Sequence, residues 1–133
     1  MAGNKYGARK VTDPDTGDVF DSKHEYRRWC ELRLLERAGK ITDLNRQVKY
    51  VLIPAQREDS TEVYKAGPQK GMPKPGAVIE KACTYVADFV YFENGKQVVE
   101  DAKGHKAVIT ETFKIKKKLM LWVHNIRIRI KET

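Results

Sequence analysis

The chain has 133 residues, of which 41% are hydrophobic, and it carries a formal net charge of +8. This length fits one domain with one core, and the apolar content excludes an intrinsically disordered chain. No apolar run approaches the roughly 20 residues of a membrane span, and the polar N-terminal residues do not form a secretory signal. We therefore expect a single cytoplasmic domain over residues 1–133.

The basic charge is concentrated toward the C-terminal end. Between Lys103 and Lys131 there are nine Lys or Arg residues and one acidic residue, Glu111. Such a surface favours polyanionic partners, chiefly nucleic acid, although a protein can also be basic without such a partner. The segment is therefore predicted to bind phosphate groups. The two cysteines, Cys30 and Cys83, lack metal-type spacing and are expected to be reduced core residues rather than a disulfide.

In the first half of the chain, residues 1–16 are expected to form a loose arm, with a short strand near residues 17–20. Ser22 followed by Glu25 has the spacing of a capping box and predicts the start of a first helix, which Gly39 ends. Residues 41–44 are predicted to be a connector and residues 47–53 a strand. The proline- and glycine-rich residues 55–82 predict a mobile loop or an extended excursion rather than a domain boundary.

Two strands are predicted at residues 83–92 and 96–103, joined by an Asn-Gly pair that favours a two-residue type I′ turn. Such a turn sets the register, and counting outward from it places Phe89 opposite Glu100 and Asp88 opposite Asp101. Opposed Cβ atoms lie about 4.5–5.5 Å apart, and like charges there destabilise a sheet. A divalent metal ion is the natural compensation because hard cations take oxygen ligands.

Lys103 lies two residues after Asp101 and so shares its strand face. Its ammonium group can reduce carboxylate repulsion, polarise an attacking water or stabilise a pentacovalent phosphate. A metal ion, two carboxylates and a lysine are together the parts needed for phosphodiester hydrolysis. The alternative is a surface charge cluster, and a β-bulge in the hairpin would break the register on which the argument depends.

The last helix is predicted over residues 109–122. Its apolar residues are expected to share one broad arc facing the sheet, formed by Ile109, Phe113, Ile115, Leu119, Met120 and Trp122. Lys116 falls inside that arc and either snorkels or meets a carboxylate or phosphate, the option we favour. Lys114, Lys117 and Lys118 are predicted to form a solvated face that adds non-specific phosphate contacts.

Residues 126–130 are predicted to form a strand with alternating isoleucines toward the core.

The order helix, strand, hairpin, helix, strand predicts an α/β or α+β sandwich around a mixed sheet. On the first helix, Glu25 shares a stripe with Trp29 and Leu32, so it either reaches the metal site or only completes the capping box. His105 follows the second hairpin strand, where a loop histidine could touch phosphate. His24 and His124 are expected on the surface, and three isolated histidines argue against a zinc site.

Asp88, followed after a hairpin by Asp101-Ala102-Lys103, resembles the PD-(D/E)XK signature, with Ala87 where the pattern has proline. Three segments closely resemble a group of small phage and prophage proteins: FDSKHEYRRWCELRLLERAGKITDLNRQVKY, YVADFVYFENGKQVVEDAKG and TFKIKKKL. That group belongs to the restriction-endonuclease-like superfamily and is described as similar to Holliday junction resolvases. The resemblance covers about residues 20–119.

The resemblance implies a restriction-endonuclease-like core with an active-site β-hairpin and a metal-dependent DNA endonuclease that uses Mg²⁺ or Mn²⁺. By position it implies that Asp88, Asp101 and the Ala102 carbonyl bind the metal, that Lys103 is the catalytic lysine and that Glu25 is the acidic residue of the first helix. Lys116 and His105 are expected to make auxiliary contacts to phosphate. Other contacts to DNA are expected from Lys106, Lys114, Lys117 and Lys118.

The same resemblance suggests branched DNA as substrate and a phage or prophage protein in the bacterial cytoplasm. A resolvase would be a homodimer, because symmetric cutting of a junction needs two active sites. Two alternatives remain: a non-catalytic nucleic-acid-binding protein that retains the nuclease fold, and a phage structural or assembly protein. Neither needs the set of Asp88, Asp101 and Lys103.

Overall fold

The computed structural model describes residues 9–104 and 108–132. Its elements are β1 (Val11–Thr12), β2 (Val19–Phe20), α1 (Lys23–Arg37), β3 (Thr42–Ile53), β4 (Gln56–Arg57), β5 (Val78–Glu80), β6 (Cys83–Glu93), β7 (Lys96–Lys103), α2 (Glu111–His124) and β8 (Arg129–Glu132). The main sheet has the order β3-β6-β7-β8. Its pairs are antiparallel except for the parallel β7–β8 pair, so the predicted mixed sheet is confirmed.

One helix covers each face of this sheet. Phe113 and Met120 of α2 pack against Val99 in what we call the α2-side core. Leu32 of α1 packs against Val98 in the α1-side core. Because successive residues of a strand point to opposite faces, the neighbours Val98 and Val99 belong to different cores. The chain is therefore an α/β sandwich, as predicted. Neither helix has the length and apolar character of a transmembrane helix.

The start of α1 agrees with the capping prediction. Ser22 is the N-cap residue, and its Oγ accepts a hydrogen bond from the Glu25 backbone N–H at 3.3 Å. Gly39, with φ of +75°, follows the last turn in the left-handed conformation that glycine adopts readily. Cys30 lies on the exposed side of α1, contrary to the predicted core position, and Cys83 is half-buried; both are free thiols.

Two predictions for residues 1–82 need correction, and the structure decides between the two alternatives left open by a third. The predicted loose arm contains β1, whose Val11 pairs with Phe20 of β2; residues 1–8 lie outside the described part of the chain. The predicted connector at residues 41–44 overlaps β3, which begins at Thr42, because the strand lies at the sheet edge and keeps polar residues exposed. The predicted loop contains β4 paired with β5, so the alternative of an extended excursion is the correct one.

Gly76 shows how closely the two sides of this excursion approach each other. A Cβ atom at this position would lie 1.9 Å from the Glu58 carbonyl oxygen, which is far inside van der Waals contact. Farther out, Val63 and Pro73 form an isolated antiparallel bridge. The excursion is therefore an ordered two-stranded arm in the structure, with glycine where the two chain segments come nearest.

The broad apolar arc predicted for α2 is wrong. Phe113 and Met120 are buried, but Ile115 and Trp122 are 56% and 83% exposed, and Ile109, which precedes the helix, is 38% exposed. At about 100° per residue, residues 115 and 122 lie about 180–200° from residue 113, so they cannot face the same sheet.

The strand after α2 also starts later than predicted, at Arg129. Its preceding residues still alternate as expected: Ile128 is buried in the α2-side core, with Ile126 and Ile130 packed against it. The basic residues between them, Arg127 and Arg129, are exposed. The alternation was therefore correct, although the first residues of the segment form no ladder.

Candidate functional site

The Asn-Gly hairpin has the predicted turn and register over most of its length. Both turn residues have positive φ, 53° and 75°, as a type I′ turn requires. The ladder pairs Glu93 with Lys96 and continues to Phe89 with Glu100, where it ends. The predicted direct pairing of the next two residues, Asp88 and Asp101, is therefore absent from the ladder.

β6 and β7 diverge at this point, while the opposite edge of β7 stays paired. On that opposite edge, β7 pairs in parallel with β8 from Glu100 to Lys103, and Asp101 lies opposite Ile130. On the other side, the Ala102 backbone N–H donates a hydrogen bond to Asp88 Oδ2 at 2.8 Å. A side-chain carboxylate of β6 thus occupies the place of a backbone carbonyl, and the two strands separate around it.

A distortion of the sheet accompanies this separation. Ala87 packs in the α2-side core and Phe89 in the α1-side core, although residues two apart in a strand normally share a face. On the neighbouring strand, Gln47 lies between the residues that pair with Ala87 and Phe89, and its φ is +55°. Positive φ is uncommon outside glycine. The regular alternation is therefore interrupted where Asp88 lies.

Asp101 is buried beside two polar partners. Its Oδ1 accepts a hydrogen bond from the Tyr85 hydroxyl at 2.8 Å. Its Oδ2 lies 3.0 Å from Lys103 Nζ in an ion pair, yet it has no partner with hydrogen-bond geometry among the described residues. Burial, followed by the Asp101 charge, raises the pKa of Tyr85, so this hydroxyl remains a donor. Asp101 therefore has one oxygen held in place and one buried oxygen still able to take a ligand.

Lys103 extends from the same strand face as Asp101, as the period of the strand predicted. Its Nζ lies 4.3 Å from the centre of the Phe113 ring of α2, within the range of a cation–π interaction. The ammonium group is thus held between a carboxylate and an aromatic ring.

Asp88 is the acid of this cluster whose pKa is raised most strongly. Burial raises its pKa to about 8, and the charges of Asp101 and Glu25 act in the same direction. The Ala102 N–H and Lys103 lower the pKa but do not compensate. Three carboxylates therefore lie close enough to repel one another, and an added cation would relieve that repulsion.

Glu25 joins this group from α1. It is buried, and its Oε1 accepts a hydrogen bond from Gln47 Nε2 at 2.9 Å and lies 3.7 Å from an Arg46 guanidinium nitrogen. Burial, followed by the Asp21 charge, raises the pKa of Glu25. The residue therefore helps to cap α1 through its backbone, while its carboxylate faces β3 and the neighbourhood of Asp88.

His24 was predicted on the surface but is half-buried next to the site. Its Nε2 lies 3.1 Å from Ser22 Oγ, and its ring would contact a Cβ atom placed on Gly104 at 3.1 Å. Burial, and then the charges of Arg27 and Lys103, lower its pKa, while Asp101 raises it. No spacing in the sequence indicates this contact, because it depends on how α1 packs beside the end of β7.

Glu100 points away from the site, because successive residues of a strand face opposite sides of the sheet, and it has a role that the sequence did not reveal. It is fully buried on the α1 side, and its carboxylate accepts two hydrogen bonds from Arg28, at 2.7 and 2.9 Å. The Tyr91 hydroxyl donates a third at 2.7 Å. This network joins α1 to β7, next to Asp101 in sequence but on the opposite face of the sheet.

The predicted phosphate-binding residues of α2 differ in their exposure to solvent. Lys116 is half-buried, whereas Lys114, Lys117 and Lys118 are exposed, in agreement with the predicted orientations. The expected meeting of Lys116 with a carboxylate is not seen in the part of the chain that the structure describes. His105 and Lys106 lie outside the described residues, so their predicted contacts stay predictions.

The donor atoms suit a hard cation but do not form a complete cage. Within residues 9–104 and 108–132, no group of three or more His, Cys, Asp or Glu side chains is arranged to hold a metal ion. The available oxygens are the carboxylates of Asp88 and Asp101. The Ala102 carbonyl can join them, because the N–H and C=O of a strand residue point to the same edge. Asp101 Oδ2 is buried, makes no hydrogen bond and has only the Lys103 ammonium beside it, and this is the observation that favours a further cation here.

Comparison with known proteins adds the family but not the activity. A family model described as a protein of unknown function, DUF1064, matches residues 3–129. No curated protein and no solved structure matches the chain. The matched range includes every residue of the candidate site.

Proposed function

The chain belongs to the DUF1064 family of proteins of unknown function, and we propose that it is a metal-dependent endonuclease that hydrolyses phosphodiester bonds in DNA. The observation that carries the proposal is the meeting of Asp88, Asp101 and Lys103 where β6 and β7 separate. Two carboxylates and an ammonium group from neighbouring strands are the parts that the PD-(D/E)XK pattern combines. The resemblance in sequence therefore agrees with the chemistry of the side chains.

The burial of this cluster argues against an ordinary surface charge cluster. Asp101 is 6% exposed, and a buried carboxylate is unfavourable unless it is paired and hydrogen-bonded. Asp88 is already destabilised as an anion, since its pKa is about 8. Carboxylates in such an environment are common at functional sites.

Asp88, Asp101 and the Ala102 carbonyl would hold a Mg²⁺ or Mn²⁺ ion. When bound, such an ion supplies positive charge that polarises a phosphoryl oxygen. Lys103 would orient a water molecule or stabilise negative charge on the phosphate. Tyr85 holds the Asp101 carboxylate in position, and Glu25 adds negative charge on the side of α1.

The finer features of the proposal derive from the resemblance. They are a restriction-endonuclease-like core, branched DNA as the preferred substrate and a homodimer. The exposed lysines of α2 support a nucleic-acid substrate in general, because they add positive charge on the helix that contacts Lys103.

A second candidate function is nucleic-acid binding without catalysis. It is favoured by the lack of a three-residue metal cluster among the described residues. The basic residues of α2 would serve such a protein equally well, whereas the Asp88 and Asp101 carboxylates would have no task in it.

A nuclease assay with Mg²⁺ or Mn²⁺ separates the two functions. Four-way junction, flap, linear duplex and single-stranded DNA are incubated with wild type, Asp101→Asn and the control Asp59→Asn, which removes the same charge from the exposed arm. We expect cleavage by wild type and by the control, and none by Asp101→Asn. Equal binding by all three proteins without cleavage of any substrate would contradict the catalytic proposal and leave the binding protein.

A further inference from the structure

Trp122 is the most exposed large apolar side chain of the described residues, at 83%. It lies near the C-terminal end of α2, on the side of the helix opposite to buried Phe113. Single exposed aliphatic side chains are common, but an indole ring with most of its surface in water is unfavourable unless it has a partner. The structure therefore presents a flat aromatic surface that the described residues leave open to solvent.

A basic groove lies along the same helix. It has a volume of about 510 Å³ and is lined by Lys114, Lys117, Lys118, Leu121, Arg127 and Ile128. Four of these six residues are cationic and none is acidic, although Lys114 also contacts Glu111 at 3.0 Å. The aliphatic stems of the lysines can lie along Leu121 and Ile128 while their ammonium groups face solvent, where successive phosphates can bind.

Helix geometry connects the ring, the groove and the candidate active site. Lys118 and Trp122 are four residues apart, so they are neighbours on the helix surface. At the other end, Lys114 and Lys117 follow Phe113 by one and four residues, and Phe113 contacts Lys103. From residue 113 to residue 122 the helix rises about 14 Å. The groove therefore lies along the stretch of α2 between Phe113, which contacts Lys103, and Trp122.

We propose that Trp122 and this groove bind an unpaired nucleic-acid strand, with its phosphates on the basic residues and one base stacked on the indole ring. A cationic groove beside an exposed aromatic ring is the combination that single-strand-binding proteins use. Paired bases in a duplex already have both faces stacked, so only an unpaired base can cover Trp122. A second copy of the chain fits this surface poorly, because a two-fold contact would bring like charges together.

This inference rests on the proposed function only in taking nucleic acid as the partner, and its test needs no catalysis. Labelled (dT)₂₀, the same length of oligo(U) and a 20-base-pair duplex are titrated in EDTA with wild type, Trp122→Phe, Trp122→Ala and Leu34→Ala. Leu34 is an exposed apolar residue of α1, on the other face of the sheet, and serves as the matched control. Affinities are measured by anisotropy, and tryptophan emission is recorded in parallel.

We expect Trp122→Ala to weaken binding of (dT)₂₀ by about 5- to 150-fold, the range of one base–aromatic stacking contact. Trp122→Phe should retain most of the affinity, and Leu34→Ala should retain all of it. Duplex affinity should be the same in every variant. Single-stranded DNA should quench the emission of wild type but much less that of Trp122→Phe, since the remaining Trp29 packs against Phe89.

Equal (dT)₂₀ affinity of wild type and Trp122→Ala would overturn the proposal. So would a change of oligomeric state in Trp122→Ala, seen by sedimentation, with single-strand affinity unchanged, since the ring would then serve a protein contact. Tighter binding of oligo(U) would assign the surface to RNA. If Trp122 governs single-strand binding but no substrate is cleaved, this inference stands and the catalytic proposal fails. If cleavage depends on Asp101 but Trp122→Ala does not change single-strand binding, the catalytic proposal stands and this inference fails.

Discussion

Replacing Asp88 by asparagine should change how the stability of the metal-free protein depends on pH. Burial and two neighbouring carboxylates raise the pKa of Asp88 from an ordinary 3.8 to about 8. Between these values the folded protein keeps a proton that the unfolded chain has already released. The free energy of unfolding of wild type therefore falls as the pH rises through this range and becomes level above it.

The size of the effect follows from the shift. One pKa unit corresponds to about 1.4 kcal/mol, so the full shift sets a ceiling of about 6 kcal/mol between about pH 4 and pH 8. Asp88 is half-buried and keeps some contact with water, which screens its neighbours. We therefore expect a loss of about 1–3 kcal/mol from this group between about pH 5 and pH 8.

The assay is urea unfolding in EDTA at several pH values, with wild type, Asp88→Asn and Asp59→Asn. Asp59 is exposed, and its replacement produces the same change of net charge. Wild type and Asp59→Asn should lose stability in parallel as the pH rises, whereas Asp88→Asn should lose less and be the most stable of the three near pH 8. An identical pH dependence in all three proteins would refute the reasoning from burial and charge.

Adding Mg²⁺ at pH 8 extends the same experiment to the proposed metal site. A ligand that binds only the folded state raises the free energy of unfolding in proportion to the logarithm of its concentration. We expect this increase in wild type and in Asp59→Asn, and little of it in Asp88→Asn. An equal increase in all three would indicate a cation site elsewhere.

Three further substitutions test individual contacts by chemical denaturation. Glu100→Gln should lower the free energy of unfolding by about 3 kcal/mol, because it leaves the buried Arg28 guanidinium with only the exposed Glu31 as counter-ion; a loss below about 1 kcal/mol would contradict that pairing. Tyr85→Phe should cost about 1–3 kcal/mol by removing the donor to Asp101 Oδ1, and nuclease activity should fall with it. Ser22→Ala should cost about 1 kcal/mol through the lost N-cap of α1, whereas Ser60→Ala in the exposed arm should cost less.

The local features of the fold could be predicted because their causes lie within a few residues. An Asn-Gly pair tolerates two positive φ angles, so the hairpin turn and its register followed from the sequence as far as Phe89 and Glu100. Strand period two then assigned Asp101 and Lys103 to one face and Glu100 to the other. The cap at Ser22 is equally local, since it involves only the first turn of α1.

The arrangement around Asp88 could not be predicted in this way. Counting outward from the turn requires β6 and β7 to stay paired to their ends, but their ladder stops at Phe89 and Glu100. Gln47, with its positive φ, distorts the neighbouring strand at the same level. The distorted strand is distant in sequence from the hairpin, and at this level a contact between Asp88 and the Ala102 N–H replaces the facing pair of carboxylates.

The sequence by itself determined the two helices, the hairpin register as far as Phe89 and Glu100, and the identity of the acidic and basic residues worth testing, because turn chemistry and periodicity are properties of neighbouring residues. Only the tertiary structure decided which of these residues meet. It joined Glu25 to Asp88, buried Glu100 against Arg28 and left Trp122 in water. Burial and charge depend on what other segments bring across space, and those two quantities control the pKa of Asp88 and the binding properties of the α2 surface.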